Sequence, residues 1–160
     1  MSRGNIWLAV AGLIIDSKGR WLVVKKKYSG LQGMWSIPAG FVHEGETLDE
    51  AVIREVKEET GLSSEVIGLF GLRTGVIKNK ISDNMIIFTL NLKDENQPII
   101  VQEKELSEVK WVSPDVLKRD STTSVMIHEM IKYDLSHIKS CLDGINPGNH
   151  FGYTNYKLFL

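Results

Sequence analysis

"REVKEETGL", Arg54 to Leu62, places three acidic residues, Glu55, Glu58 and Glu59, on about one helical turn just before a glycine. Carboxylates three and four positions apart share a helix face and repel, by roughly 0.2–0.5 kcal/mol per pair. The negative end of the helix dipole disfavours each of them by about another 0.3–1 kcal/mol. Both effects have the same sign, so the placement calls for a stabilising partner from outside the helix.

The helix itself is well delimited. "TLDE" is a capping box, with Thr47 as the cap and Glu50 reaching back to it, and Gly61 suits the left-handed residue after the last turn. The spacing predicts a helix over Thr47 to Thr60. Leu48, Val52 and Val56 form its apolar stripe, with Ile53 at the margin. Glu55, Glu58 and Glu59 fall in a sector about 100° wide beside that stripe, at the edge of the core, whereas Glu50 and Lys57 point elsewhere. Three such heads are hard oxygen ligands suited to Mg²⁺ or Mn²⁺ rather than zinc or copper. The competing reading is a solvated acidic face, supported locally by the i,i+4 pairs Glu50–Arg54 and Arg54–Glu58.

Working outward, Trp7 to Ile15 and Arg20 to Lys27 read as strands around the turn formers of "DSKG". Tyr28 to Gly33 reads as a loop, and "MWSIPAGFV" as an extended piece broken by Pro38. Beyond the helix, Ser64 to Thr74 and Met85 to Leu92 read as strands joined through a polar hairpin, "KNKISDN". "VQEKELSEVKWV" leads to a short strand, Val109 to Val112, followed by a helix capped by Ser113 with Pro114 at its first position. Ile127, Ile131, Leu135, Ile138 and Leu142 recur at helical spacing and predict a longer helix over Thr122 to Leu142. Cys141 on that helix reads as a buried packing residue. The aromatic tail, Phe151 to Leu160, is expected to pack on its own domain or on a partner subunit.

Composition bounds the function. The chain has 160 residues, formal net charge −1, 42% hydrophobic and 24% charged residues. It reads as one domain over 1–160, with a C-terminal helix and aromatic tail over about 121–160. Net charge this near zero announces no basic field for nucleic acid or anionic membrane. A single cysteine forms no internal disulfide, and the cytoplasm is the default expectation. "IWLAVAGLII" after Arg3 imitates a signal peptide but is too short to span a bilayer, and no small-residue cleavage site follows it.

Upstream of the glutamates stands "PAGFVHEGE". Together the pieces read Gly40, five residues, Glu46, seven residues, then "REVKEETGL". The whole resembles the signature of the Nudix (MutT-like) hydrolase family, with every fixed position present from Gly40 to Leu62. Seven fixed residues, each at roughly one-in-fifteen usage, match at a given start by chance on the order of once in 10⁸. The resemblance implies an α/β fold, a Nudix-type α/β/α sandwich with a mixed β-sheet. It also implies a Mg²⁺-dependent hydrolase, with Mn²⁺ as the substitute, cleaving the diphosphate linkage of a nucleoside diphosphate joined to another moiety. Glu55, Glu58, Glu59 and the Gly40 carbonyl are then the metal ligands. Arg54 orients the carboxylates, and Glu46 supports the loop.

The base that activates water is either a glutamate of this segment, Glu55 or Glu58, or one of Glu103, Glu105 and Glu108 from a later loop. Glu105 is selected for its distance ahead of Trp111. Lys26 is the candidate phosphate contact, unless it only protects an edge strand. Trp35 and Phe41 are candidates to stack on a base or ribose, or else are core residues. His43 occupies a loop position that is often acidic in the family, whereas His128 and His137 read as surface or core. The expected partner is a small nucleotide or diphosphate, with no membrane or obvious nucleic-acid partner and with homodimerisation open. Two other activities use the same fold: nucleotide sensing without cleavage, and RNA 5′-pyrophosphohydrolysis.

Overall fold

Strands with apolar residues on both faces dominate the chain, and the fold follows from covering each face. The computed structural model describes residues 4–28, 30–148 and 153–160. Arg3, and Phe151 in the aromatic tail, lie outside the described residues.

Strands β1 (Ile6–Ile14), β4 (Ala39–Phe41), β5 (Ser64–Ile77) and β6 (Ile81–Leu92) form a sheet in the order β4-β1-β6-β5. β1 and β6 are parallel and the other pairs antiparallel, so the sheet is mixed. β2 (Trp21–Lys26), β3 (Trp35–Ser36) and β7 (Leu106–Val112) form a second sheet in the order β3-β2-β7. Side chains alternate along a strand, and the two cores follow that period. Val10 and Ile14 of β1, with Phe88 and Leu90 of β6, pack with Val52 and Val56 of helix α1 (Leu48–Thr60). Ala11, Leu13 and Ile87 face the other way, toward Leu117 of α2 (Pro114–Arg119) and Ile127 of α3 (Val125–Met130). Helices therefore cover both sides of the sheets, as an α/β/α sandwich requires.

The polar hairpin is shorter than the sequence suggests. β5 runs on to Ile77 and β6 starts at Ile81, so only a tight turn remains, with Lys78 and Asn79 at φ 51° and 55°. Ser82, Asp83 and Asn84 are strand residues whose polarity is met across the ladder. Arg73 bonds Asp83 at 2.6 Å, and the Thr74 hydroxyl donates to Asn84 at 2.7 Å. Cross-strand pairs of this kind stabilise a sheet without apolar alternation.

The helix expected over Thr122 to Leu142 is not formed. Ser124 caps α3 and the helix ends at Met130. Asp134 then caps a separate 3₁₀ turn, Leu135–His137, accepting the Ser136 N–H at 2.9 Å. What wins over helical propensity is the open edge of β5: Lys139 exchanges backbone hydrogen bonds with Leu69 at 2.9 and 2.7 Å. Gly68 permits that approach, because a Cβ there would lie 2.6 Å from the Lys139 carbonyl oxygen. Cys141 consequently sits on a short strand, β8 (Cys141–Leu142), and is exposed rather than buried.

The tail does pack on its own domain. β9 (Leu158–Phe159) pairs with β8, and the Phe159 ring meets Phe88 edge-on at 5.3 Å. Lys157 forms a 2.6 Å ion pair with Asp49 at the start of α1. Phe159→Ala is expected to cost about 1–3 kcal/mol, less than a fully buried phenylalanine because the ring is half-buried. Urea denaturation reads this directly; no change in midpoint would show that the tail contributes nothing to the fold.

Candidate functional site

The glutamate helix begins and ends as its sequence dictates. The Thr47 N–H donates to Glu50 Oε2 at 2.8 Å, and Gly61 adopts φ 75° with its N–H on the Lys57 carbonyl. With Val52 and Val56 fully buried, the neighbouring sector carries Glu55 and Glu59 into the protein, at 9% and 1% exposure. Glu58, one step further round, keeps about half its side chain in solvent. The three acids therefore sit in different surroundings.

Arg54 organises two of them, Glu55 and Glu58, together with Glu46. Its guanidinium grips Glu46 at 2.6 and 3.0 Å, Glu55 at 2.7 Å and Glu58 at 3.2 Å, and also donates to the Phe41 carbonyl at 3.0 Å. The expected Glu50–Arg54 pairing gives way to Glu46, because Glu50 is spent on the cap and Glu46 presents both oxygens to the planar fork. Arg54, helped by the His43 N–H, pulls the Glu46 carboxyl down to about 2. Glu46 is thus ionised throughout the working range and fixes the loop ahead of the helix.

Glu59 is the opposite case. Its Oε2 accepts the Ala39 N–H at 3.2 Å, while Oε1 is buried with no hydrogen-bond partner among the described residues. Lys26 Nζ stands 3.8 Å from Oε1, an attraction beyond hydrogen-bond range. Burial pushes the Glu59 carboxyl up to about 7, assisted by the charges of Glu55 and Glu105 and opposed by Lys26 and Ala39. Between its ordinary 4.5 and about 7 the folded chain holds a proton that the unfolded chain has lost. Metal-free stability should therefore fall as pH rises through that window, by about 3 kcal/mol in total. Glu59→Gln should flatten this part of the profile in urea titrations at pH 4.5–7.5; an identical slope in the variant would contradict the assignment.

Gly40 closes the arrangement. A Cβ at this position would lie 2.1 Å from the Glu55 carboxyl carbon, so only glycine leaves room for that carboxylate against the strand. The resulting cleft, about 390 Å³, gathers six of the residues expected from sequence: Lys26, Gly40, Phe41, Glu55, Glu58 and Glu105. Phe41 is exposed and meets Trp7 edge-on at 5.8 Å. Glu108 instead pairs with Lys110 at 2.6 Å, and Glu103 offers its carbonyl oxygen to Lys27.

Trp35 does not belong to the cleft. Its ring is 6% exposed in the core beneath α2 and α3, its indole N–H donates to Asp120 at 3.3 Å, and Lys25 lies 4.4 Å above its face. Alternation on β3 sends residue 35 inward, which a two-residue strand does not advertise in sequence. Tyr28, His43 and Gln102 complete the cleft wall. Gln102 was not a sequence candidate, and its Oε1 is buried without a partner among the described residues.

Among the described residues, no three acidic, histidine or cysteine heads converge into a finished metal cage. Mg²⁺ does not need one, since it keeps several waters and binds through one or two carboxylates plus substrate phosphates. The donor set fits such an ion: all-oxygen ligands, an orphaned buried oxygen on Glu59, and a glycine backbone against Glu55.

Known proteins resemble this chain in sequence and in fold. A family model described as NUDIX domain matches residues 6–130. An ADP-ribose pyrophosphatase of Methanocaldococcus jannaschii is 46% identical over 65 residues, which are 41% of this chain and 38% of that protein. A phosphatase NudJ of Shigella boydii serotype 4 is 28% identical over 120 residues, 74% of this chain and 77% of that one. This chain spans well under half the length of several curated relatives it matches, 29% in the case of Nudix hydrolase 8 of Arabidopsis thaliana. Among solved structures, a MutT protein from Methanosarcina mazei Go1 superposes with TM-score 0.67 at 23% identity, over 82% of this chain and 94% of its own, a likeness of fold alone.

Proposed function

Since the chain belongs to the NUDIX domain family, we propose that it is a divalent-metal-dependent hydrolase of the diphosphate linkage in a nucleoside diphosphate joined to another group. The observation that carries this reading is the pair of Arg54-held acids, Glu55 and Glu58, sharing a single cleft with Lys26 and Glu105.

Glu55, Glu58 and Glu59, with the Gly40 carbonyl, would hold Mg²⁺ or Mn²⁺. The ion, when bound, supplies charge neutralisation of the diphosphate and a water of lowered pKa. Lys26 lies between the buried Glu59 and the open cleft, where its ammonium meets a phosphate oxygen as a point charge. Arg54 restrains the headgroups of Glu55 and Glu58, so little reorganisation is needed when substrate arrives. Proton removal from the attacking water falls to a carboxylate on the cleft wall, Glu58 from the helix or Glu105 from the loop before β7. No serine or cysteine nucleophile enters the scheme.

A non-cleaving nucleotide sensor would not need this complete carboxylate set, and an RNA 5′-end hydrolase would want a basic approach that the net charge of −1 does not provide. The test is phosphate or nucleoside monophosphate release from a panel of nucleoside diphosphate sugars, dinucleotides, oxidised triphosphates and capped RNA, with and without Mg²⁺. Metal-dependent cleavage of at least one member is expected; tight binding without turnover on any of them would favour the sensor.

A further inference from the structure

We propose that a second copy of this chain pairs antiparallel with the outer edge of β5, about a two-fold axis at Thr74, so that the two four-stranded sheets run on as one. β5 is the last strand in the order β4-β1-β6-β5, and its far side is an edge. Among the described residues, only Lys139 pairs with that edge, at Leu69. Gly71 to Ile77 is left uncovered. Natural edges are blunted by lysine, proline or a bulge. This stretch, "GLRTGVI", has none of them, since both irregularities of the β5–β6 ladder fall between Val66 and Gly71. Its one charge, Arg73, is held by Asp83 at 2.6 Å. The proposal stands apart from the hydrolase reading, because neither Leu72 nor Val76 lines the carboxylate cleft.

The register decides which groups point outward. Ile77 lies opposite Ile81 and its carbonyl accepts the Lys80 N–H at 3.0 Å, so the backbone of Ile77 faces β6. Facing alternates along an antiparallel ladder, so Gly75 and Arg73 also face β6, and Leu72, Thr74 and Val76 turn their N–H and C=O groups outward. Their side chains share the sheet face that carries α1, because Leu72 is aligned with Ile86 and Val10 of that core. Leu72 and Val76 are nonetheless 61% and 69% exposed. Ile6 and Leu8 of β1, in the rows of Val76 and Thr74, are exposed on the same face.

What selects a copy of the same chain is self-complementarity. With Thr74 on the axis, Leu72 falls opposite Val76 of the second copy and Val76 opposite its Leu72, so these two exposed residues cover one another twice. Arg73 falls opposite Gly75, and no like charges meet. The guanidinium then faces bare backbone and, one strand beyond at about 10 Å, Asp83 of the second copy. Apolar surface and charge match together in this register. An axis at Gly75 would instead set Val76 against Thr74 and Leu72 against Lys78. With the axis at Thr74, Ile77 falls opposite Gly71, so the added strand ends before the Lys139 segment on the same edge. An extended peptide from another protein would use the same backbone groups but leaves this pattern unexplained.

The experiment uses the full chain. Sedimentation over a range of concentrations reads the mass, and amide exchange followed by NMR reads the edge. Wild type is expected to reach twice the mass of one chain. The Leu72, Thr74 and Val76 amides should exchange more slowly as concentration rises, and those of Arg73 and Gly75, bonded within the chain, should change far less. Leu72→Lys and Val76→Asp, at positions too exposed to endanger the fold, should each return the single-chain mass at the same loading. The double variant L72K/V76D sets lysine opposite aspartate at both ends of the pair and should associate about 2- to 30-fold more tightly than either single variant. A single-chain mass at every concentration reached, a dimer that survives both single variants, or a double variant no tighter than the singles overturns the proposal. Fast exchange at Leu72, Thr74 and Val76 within a dimer puts the interface elsewhere and overturns it too. A monomer whose edge amides slow only with an extended peptide of another protein overturns it in favour of that peptide.

Discussion

Glu58→Gln is expected to lower kcat by about 10²–10⁴ at saturating Mg²⁺ while the urea midpoint stays near that of the parent chain. The proposed mechanism gives the residue an essential chemical position, whereas its structural one is dispensable. It lines the cleft, but half its side chain is in solvent, and its bond to Arg54 is the longest of the three carboxylate contacts at 3.2 Å. Exposed pairs of this kind contribute about 0–1 kcal/mol. The amide keeps the shape and removes both the charge proposed to bind metal and the basicity proposed to take a proton. Single-turnover kinetics and denaturation on the same sample separate the two roles. Activity within a few-fold of wild type would remove Glu58 from the mechanism and leave Glu55 and Glu105 as the remaining open carboxylates.

Gly40→Ala is expected to abolish most activity through one methyl group. The added carbon would occupy the place of the Glu55 carboxyl, 2.1 Å from its carbon, and the flexible side chain would swing away from Arg54. A displacement of about 1 Å at a reacting group costs on the order of 10²-fold, and Glu55 would move further than that. The stability cost should be modest, about 1–3 kcal/mol for the lost charged hydrogen bond, because the carboxylate can reach solvent through the cleft. Circular dichroism should therefore show a folded protein with activity reduced at least about 10²-fold. A fully active G40A would mean that the position of Glu55 against the strand is incidental.

The parts of the fold written in local chemistry were legible in the sequence. Thr47, Glu50 and Gly61 delimit α1, Ser113 and Pro114 start α2, and two apolar runs around the "DSKG" turn mark β1 and β2. Much of the cleft was legible too, because Gly40, Phe41, Glu55 and Glu58, with Glu46 and Arg54 behind them, lie within one short segment of chain. What escaped depends on contacts distant in sequence. The apolar spacing from Ile127 to Leu142 is helical, yet the backbone of Lys139 satisfies the edge of β5, a demand that no local pattern reveals. Ser82 to Asn84 look like loop until Arg73 and Thr74 are placed opposite them. Cys141 was misjudged and Trp35 left open between stacking and core for the same reason: their exposure is set by which strand they join and which way it faces. Gln102 carried no signal beyond standing near Glu105, and only its unpartnered oxygen in the folded chain draws notice.

The proposed function requires a doubly charged cation to make one crowded helical turn of acids favourable. Calorimetric titration of Mg²⁺ and Mn²⁺ into the full chain near pH 7, repeated in buffers of different ionisation heat and with a non-hydrolysable diphosphate analogue, tests it most directly. Saturable uptake is expected, with part of a proton released per ion because Glu59, near 7 in the metal-free chain, must ionise to bind. Absence of uptake of either ion, with and without the analogue, would contradict the account.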